Sequence, residues 1–234
     1  VTDTGGNGVY AVITTGGTGN VTVTGTGAVI ANDTGTGTGI TAWADTGDVT
    51  VTPASTVYGS LGINAATGGS GEVTVTTVGN VTGTTDDGIH ARSDNGDINV
   101  TTAVGTTVRG SSVSGTGDGI DARASGAGDV HVIANSDVYG DPAIIVTSAT
   151  GNAWATANGT TVGLLQGVYA EVTSSLASSF VLVDGTGNVT GGTTGIYANN
   201  NGSGTTTVTG SGNTLGQTAD GIDAYSQAGN VLVD

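Results

Sequence analysis

The residues best suited to ionic or acid–base chemistry lie at matching positions in two copies of one short phrase. His90 and Arg92 occur in Gly-Ile-His-Ala-Arg, and Asp121 and Arg123 occur in Gly-Ile-Asp-Ala-Arg. Arginine binds carboxylates, and imidazole and carboxylate groups can exchange protons with a substrate. The group could act on an acidic ligand, or Arg92 could simply pair with Asp121 across strands, which contributes little at an exposed surface. The second interpretation is the simpler one, and we predict no catalytic residue.

Aromatic side chains occupy the same two positions of this phrase elsewhere in the chain. They are Tyr10, Trp43, Tyr169, Tyr197 and Tyr225. Aromatic rings beside polar side chains suit a sugar surface or a protein contact. Alternatively, aromatic residues favour exposed strand positions and stack on one another. Together with the charged group they form the candidate ligand-binding face.

Acidic residues recur immediately before a second phrase, Val-x-Val. The column contains Asp48, Glu72, Asp97 and Asp129, with Asn20 before it and Asn152 after it. Two carboxylates one strand spacing apart repel by about 0.9 kcal/mol in water, and something must offset this. Ca²⁺ could bridge successive turns through oxygen ligands. Alternatively, each side chain accepts backbone N–H groups of its own turn, which needs no metal and suits the exchange of Asn for Asp.

Thr-x-Thr pairs occupy the outward positions of several Val-x-Val phrases. Examples are Thr22 with Thr24 and Thr50 with Thr52. A flat threonine lattice could order water and bind ice. The array is broken at His131 and Trp154, so threonine is better explained by its strand propensity.

The phrases that carry these residues recur along the whole chain and predict its architecture. Gly-Ile-x-Ala returns at intervals of 23 to 31 residues, followed each time by Val-x-Val and then Val-x-Gly. Apolar residues at every second position, bounded by Gly, Asn, Asp and Thr, indicate short strands. Three strands per turn with equivalent strands stacked predict an all-β parallel β-helix of about nine turns. The variable turn length favours the right-handed form, with Val, Ile and Ala inside.

Composition excludes several classes of function. The net charge is −16 with three Arg and no Lys, so nucleic acid is not an expected partner. Cysteine is absent, which excludes disulfides and thiolate metal sites. No apolar stretch is long enough for a membrane-spanning helix, so we expect no membrane insertion.

The repeated phrases resemble those in the passenger regions of bacterial autotransporters and related large surface adhesins. The resemblance covers residues 1–234, which we treat as one β-solenoid domain, either a segment of a longer array or a stacking unit. It implies a secreted, non-enzymatic stalk or adhesive filament at the bacterial cell surface. The expected partners are neighbouring repeats, further copies stacked end to end, or surface glycans. A carbohydrate-binding module is the alternative function, and ice binding is a weaker one.

Overall fold

The chain winds into a parallel β-solenoid. The computed structural model describes residues 2–3, 6–25, 27–31, 36–111 and 116–234. Within these ranges there are 27 strands in three sheets of nine, and no helix. That part of the chain therefore contains no helix able to cross a membrane. The predicted all-β fold with three strands per turn is confirmed. About eight turns of the solenoid connect the nine strands of each sheet, close to the nine turns expected. The right-handed sense of the solenoid stays a prediction.

We name the sheets after the phrases that form them. The third sheet, from the Val-x-Gly phrases, contains β1 (Thr2–Asp3), β4 (Val29–Ala31), β7 (Val57–Gly59), β10 (Val81–Gly83), β13 (Thr107–Arg109), β16 (Asp137–Gly140), β19 (Thr161–Gly163), β22 (Val189–Gly191) and β25 (Thr214–Gly216). The first sheet, from the Gly-Ile-x-Ala phrases, contains β2 (Val9–Val12), β5 (Ile40–Ala44), β8 (Ile63–Thr67), β11 (Ile89–Ser93), β14 (Ile120–Ala124), β17 (Ile144–Ser148), β20 (Val168–Val172), β23 (Ile196–Asn200) and β26 (Ile222–Ser226). The second sheet, from the Val-x-Val phrases, contains β3 (Val21–Gly25), β6 (Val49–Pro53), β9 (Val73–Thr77), β12 (Ile98–Thr102), β15 (Val130–Ala134), β18 (Ala153–Ala157), β21 (Val181–Asp184), β24 (Thr206–Val208) and β27 (Val231–Val233).

Stacked Val, Ile and Ala side chains form one continuous core. In β11 and β14, Ile89 pairs with Ile120 and Ala91 with Ala122, so identical residues lie directly above one another. All four are fully buried, as the period of two predicts. Branched side chains pack well on pleated strands, and alanine fits the narrow interior. A chain with few aromatic residues thus buries enough apolar surface because each turn adds stacked aliphatic side chains to the core.

Buried hydroxyls fasten the corner between the first and second sheets. The last residue of β11, Ser93, donates its hydroxyl hydrogen to the Gly71 carbonyl and accepts the backbone N–H of Gly96 at 2.8 Å. Ser148 makes the equivalent pair of bonds to Gly128 and Gly151. Each side chain therefore closes its own turn and ties it to the turn before, which satisfies polar groups that would otherwise be costly to bury.

Glycines at this corner stack so closely that a side chain cannot be accommodated. A Cβ atom on Gly96 would lie 1.9 Å from the Gly71 carbonyl oxygen, and one on Gly71 would lie 2.1 Å from that of Gly47. The obstacle is backbone, which cannot move without breaking the hydrogen bonds between turns. Glycine here is required by the close approach of successive turns.

We expect Gly96→Ala to destabilise the fold by about 1–3 kcal/mol, because the methyl group must separate two turns. The measurement is the midpoint of urea unfolding. Gly25→Ala is the matched control, since a Cβ at Gly25 meets nothing within 4 Å. Equal midpoints for the two variants would contradict the role given to close glycine stacking.

Candidate functional site

The predicted ligand-binding face lies on the outer surface of the first sheet. The strand register places His90 beside Asp121 and Arg92 beside Arg123, and Tyr169 beside Tyr197. The other predicted members are spread along the sheet: Tyr10 on β2, Trp43 on β5 and Tyr225 on β26. The face therefore contains two compact groups, which we call the ionic cluster (His90, Arg92, Asp121, Arg123 with Asp87 and Asp118) and the tyrosine pair (Tyr169, Tyr197).

Asp121 is the centre of the ionic cluster. Arg92 Nη2 donates to its Oδ2 at 2.5 Å, and Arg123 Nε donates to its Oδ1 at 2.6 Å. The predicted cross-strand pair of Arg92 with Asp121 is thus present. The Asp121 side chain is only 3 % exposed, however, so this pair is not the solvated surface pair that the sequence suggested. Both carboxylate oxygens are occupied, and removing either arginine would leave a buried charge poorly compensated.

Hydrogen bonds fix the tautomer of His90. Arg92 Nε donates to Nε2 of the imidazole at 2.9 Å, so Nε2 carries no proton. Nδ1 therefore carries the hydrogen and donates it to Asp87 Oδ2 at 2.8 Å. Ligand atoms of Asp87, His90 and Asp121 lie within 4.8 Å of one another, the spacing of a metal site. A metal would need the Nδ1 lone pair, which this arrangement blocks, and two arginines lie beside it.

Asp118 is the perturbed carboxyl of the cluster. Along this corner, each Asp or Asn can accept the backbone N–H one turn later, as Asp87 Oδ1 does from Asp118 N at 2.7 Å. The residue one turn after Asp118 is Pro142, which has no N–H to donate. Burial, together with the neighbouring carboxylates of Asp87 and Asp121, raises the pKa of Asp118 to about 8, and Arg123 opposes this rise.

The tyrosine pair is stacked. The rings of Tyr169 and Tyr197 are 4.9 Å apart at 16°. The Tyr169 hydroxyl donates to Glu171 Oε2 at 2.5 Å, and Asn199 Nδ2 donates to Glu171 Oε1 at 2.8 Å. Burial raises the pKa of Tyr169, and the bond to Glu171 raises it further. The two rings cover each other's faces, as expected from the alternative that aromatic residues on neighbouring strands stack on one another.

The acidic column before the second sheet is a ladder of hydrogen bonds between turns. Asp97 Oδ1 accepts the backbone N–H of Asp129 at 2.9 Å, and Asp129 Oδ1 accepts that of Asn152 at 2.8 Å. Asp48 Oδ1 likewise accepts the N–H of Glu72 at 3.0 Å. The side chains do accept backbone N–H groups, as predicted, but the prediction that these groups belong to the same turn is wrong. The donors belong to the next turn, because an in-register strand brings the following N–H within reach of a short side chain.

Glu72 departs from the ladder because its side chain is one carbon longer. Its Oε1 accepts hydrogen bonds from Thr74 Oγ1 and from Asn99 Nδ2, both at 2.9 Å. Oε1 of Glu72 thus accepts from two side chains on the outer face of the second sheet. Successive members of the column are one strand spacing apart, and the only three candidate ligands within 4.8 Å among the described residues belong to the ionic cluster. Ca²⁺ binding by Asp48, Glu72, Asp97 and Asp129 stays a prediction.

The sequence analysis did not identify some residues that the structure brings into contact with the candidate site. Asp87 and Asp118 complete the ionic cluster, and they could be found by aligning the residue two places before each Gly-Ile-x-Ala isoleucine. On the second sheet, His131 and Trp154 stack with ring centroids 4.1 Å apart. The sequence marks these two only as breaks in the threonine rows.

No protein-family model, curated protein or solved structure matches this chain.

The pKa of Asp118 gives a prediction about stability. Between the ordinary value of 3.8 and about 8, the folded chain holds a proton at Asp118 that the unfolded chain releases. Stability from this site is present below the unfolded pKa and is lost as the pH rises through the folded pKa. We expect Asp118→Asn to flatten this decline, measured as urea midpoints at about pH 5 and about pH 9.

Asp129→Asn is the control for this prediction, because Asp129 is exposed and an asparagine keeps the ladder bond. It should retain the pH dependence of the unsubstituted chain. An unchanged decline in Asp118→Asn would show that another group binds the proton.

Proposed function

We propose that this chain is a non-enzymatic, extracellular structural rod that forms part of a bacterial cell-surface stalk, adhesin or self-stacking filament. The observation that carries the proposal is the single apolar core enclosed by three nine-stranded parallel sheets. Each interior turn is hydrogen-bonded to the turns before and after it, so the axis resists extension and the outer positions are presented in regular columns. The resemblance of the phrases to autotransporter passengers and surface adhesins supports the same function.

The ionic cluster supports a role without catalysis. A catalytic acid or base must reach the substrate within hydrogen-bonding distance. Both oxygens of Asp121 are held by arginines and its side chain is buried. Both nitrogens of His90 are also engaged. The arrangement is that of a closed network which neutralises charge between stacked strands.

The proposed stacking would place a further turn of the same structure against β27. Val231 and Val233 on β27 are 46 % and 51 % exposed, whereas equivalent residues such as Val73 and Val75 are fully buried. The edges of β25, β26 and β27 also present backbone groups that a further strand could pair. We propose that a turn of the same register, from a neighbouring repeat or a second copy, covers this surface.

Electron microscopy of the purified chain tests the stacking. We expect rods of variable length that grow with concentration, and we expect Val233→Asp to shorten them by placing a charge on the covered surface. Leu176→Asp is the matched control, because Leu176 is 93 % exposed in a turn away from β27. Short rods of one length under all salt conditions would contradict end-to-end stacking.

Carbohydrate binding by the first sheet is the second candidate, favoured by the tyrosine pair and the polar groups around Glu171. Asn199 and Asn201 both donate to Glu171 Oε1, which gives a rigid set of hydrogen-bonding groups beside two rings. Sugar sites combine these two elements.

A glycan array tests this second candidate. We expect binding that Tyr169→Ala and Tyr197→Ala each abolish, because each removes half of the stacked surface. Tyr58→Ala on the third sheet should leave binding unchanged, since Tyr58 is exposed and distant in the register. No binding, or binding that neither substitution changes, would contradict a sugar-binding role of the first sheet.

A further inference from the structure

A groove interrupts the outer face of the second sheet where the threonine rows end. The strand register runs from Thr74 to Asn99, then to His131 and Trp154. The step from a short side chain to two large rings leaves a cavity of about 370 Å³. That volume falls within the range of roughly 300–1,000 Å³ found for small-molecule sites. Asn99, His131 and Trp154 line it, together with Phe180 and two members of the acidic column, Asp97 and Asp129.

Three rings form one wall of this groove. His131 stacks on Trp154 at 4.1 Å and 20°, and Phe180 meets Trp154 edge-on at 6.5 Å and 65°. Burial lowers the pKa of His131, with Asp184 opposing, so the ring is neutral at neutral pH. The wall is therefore an uncharged aromatic surface, held at a fixed angle by its own stacking.

Polar atoms of this wall lack partners in the described residues. His131 Nε2 and Trp154 Nε1 are buried and make no hydrogen bond there. Buried polar atoms are nearly always paired in folded proteins, because leaving one unpaired costs about 1–3 kcal/mol. Packing alone would favour a threonine row, as on β3 and β6. The fold therefore does not require rings at this position.

The rim of the groove is negatively charged. Oδ1 of Asp97 and Oδ1 of Asp129 accept the ladder bonds, and Asp129 Oδ2 also accepts Asn152 Nδ2 at 3.2 Å. Asp97 Oδ2 has no partner among the described residues. The sequence has no lysine, and its three arginines lie on the first and third sheets. No cation of the protein compensates this rim, so its field favours a positively charged ligand.

We propose that this groove binds a glycan that carries free amines, of the glucosamine type. The apolar face of the sugar ring packs on the aromatic wall, and its ammonium group pairs with Asp97 and Asp129. Asn99 lines the same cavity, and its Oδ1 can accept a hydrogen bond from a sugar hydroxyl while its Nδ2 donates to Glu72 Oε1. A structural rod needs no ligand, so this site goes beyond the proposed function and does not depend on stacking.

Fluorescence of Trp154 tests the site directly. The chain has two tryptophans, and Trp43 lies on the first sheet, so Trp43→Phe leaves Trp154 as the only indole reporter. We expect a saturable change in its emission on titration with a β-1,4-linked glucosamine trimer. The fully N-acetylated trimer should bind about tenfold more weakly, because it lacks the charge that pairs with the rim.

Conservative variants test the charge of the rim without removing the hydrogen bonds that stabilise the fold. In the Trp43→Phe background, Asp97→Asn and Asp129→Asn keep the ladder acceptor, as Asn20 and Asn152 do naturally, and each should weaken binding several-fold. Asp48→Asn, in the same column but outside the groove, should not. His131→Ala should abolish binding, and its urea midpoint shows whether the variant is folded.

Four outcomes would overturn the proposal. They are no change in Trp154 emission with the amine-bearing trimer, equal affinity for the acetylated and the amine-bearing trimers, an affinity of Asp97→Asn and Asp129→Asn equal to that of the Trp43→Phe parent, and a response to Ca²⁺ alone that matches the response to the sugar. The last would identify the rim as a divalent cation site.

Discussion

Every property of this molecule depends on in-register parallel stacking. Each residue lies above and below the residues at the same position in neighbouring turns, as Ile89 lies between Ile63 and Ile120. For an apolar side chain this is favourable, because each turn completes the burial of the one before. For glycine it permits backbones to approach within a distance that no Cβ tolerates. For a charged side chain it is unfavourable, because like charges recur one strand spacing apart.

The chain offsets this charge repetition in three ways. In the acidic column, Asp97 and Asp129 accept the N–H of the following turn, and the backbone stabilises each carboxylate. In the ionic cluster, Arg92 and Arg123 come from two adjacent strands and neutralise Asp121 between them. At Asp118 neither solution is complete, since Pro142 supplies no N–H and Arg123 lies 3.9 Å away. Burial then favours the protonated form, which is why this carboxyl differs from its neighbours.

The repeated phrases were sufficient to predict the strands, the sheets and the register, because a period of two within a longer repeat has few structural solutions. The residues in each outward column were predicted for the same reason. Contacts that depend on the length of a side chain, or on the residues of the following turn, could not be predicted in this way. The own-turn partner expected for Asp97 was wrong because the donor is Asp129 N. The burial of Asp121 depends on arginine side chains that cover it, and the pKa of Asp118 depends on a proline 24 residues later.

Outward positions are where function is to be sought, since the fold constrains them least. On the first sheet the unusual residues satisfy one another: His90, Arg92, Asp121 and Arg123 form a closed network, and Tyr169 bonds Glu171. On the second sheet His131 and Trp154 stand where β3, β6 and β9 carry threonine, and they bury polar atoms without partners in the described chain. A cluster that completes its own bonds is explained by stability alone. A cluster that leaves polar atoms unpaired beside an uncompensated acidic rim is not, and this difference is why we propose the ligand site on the second sheet.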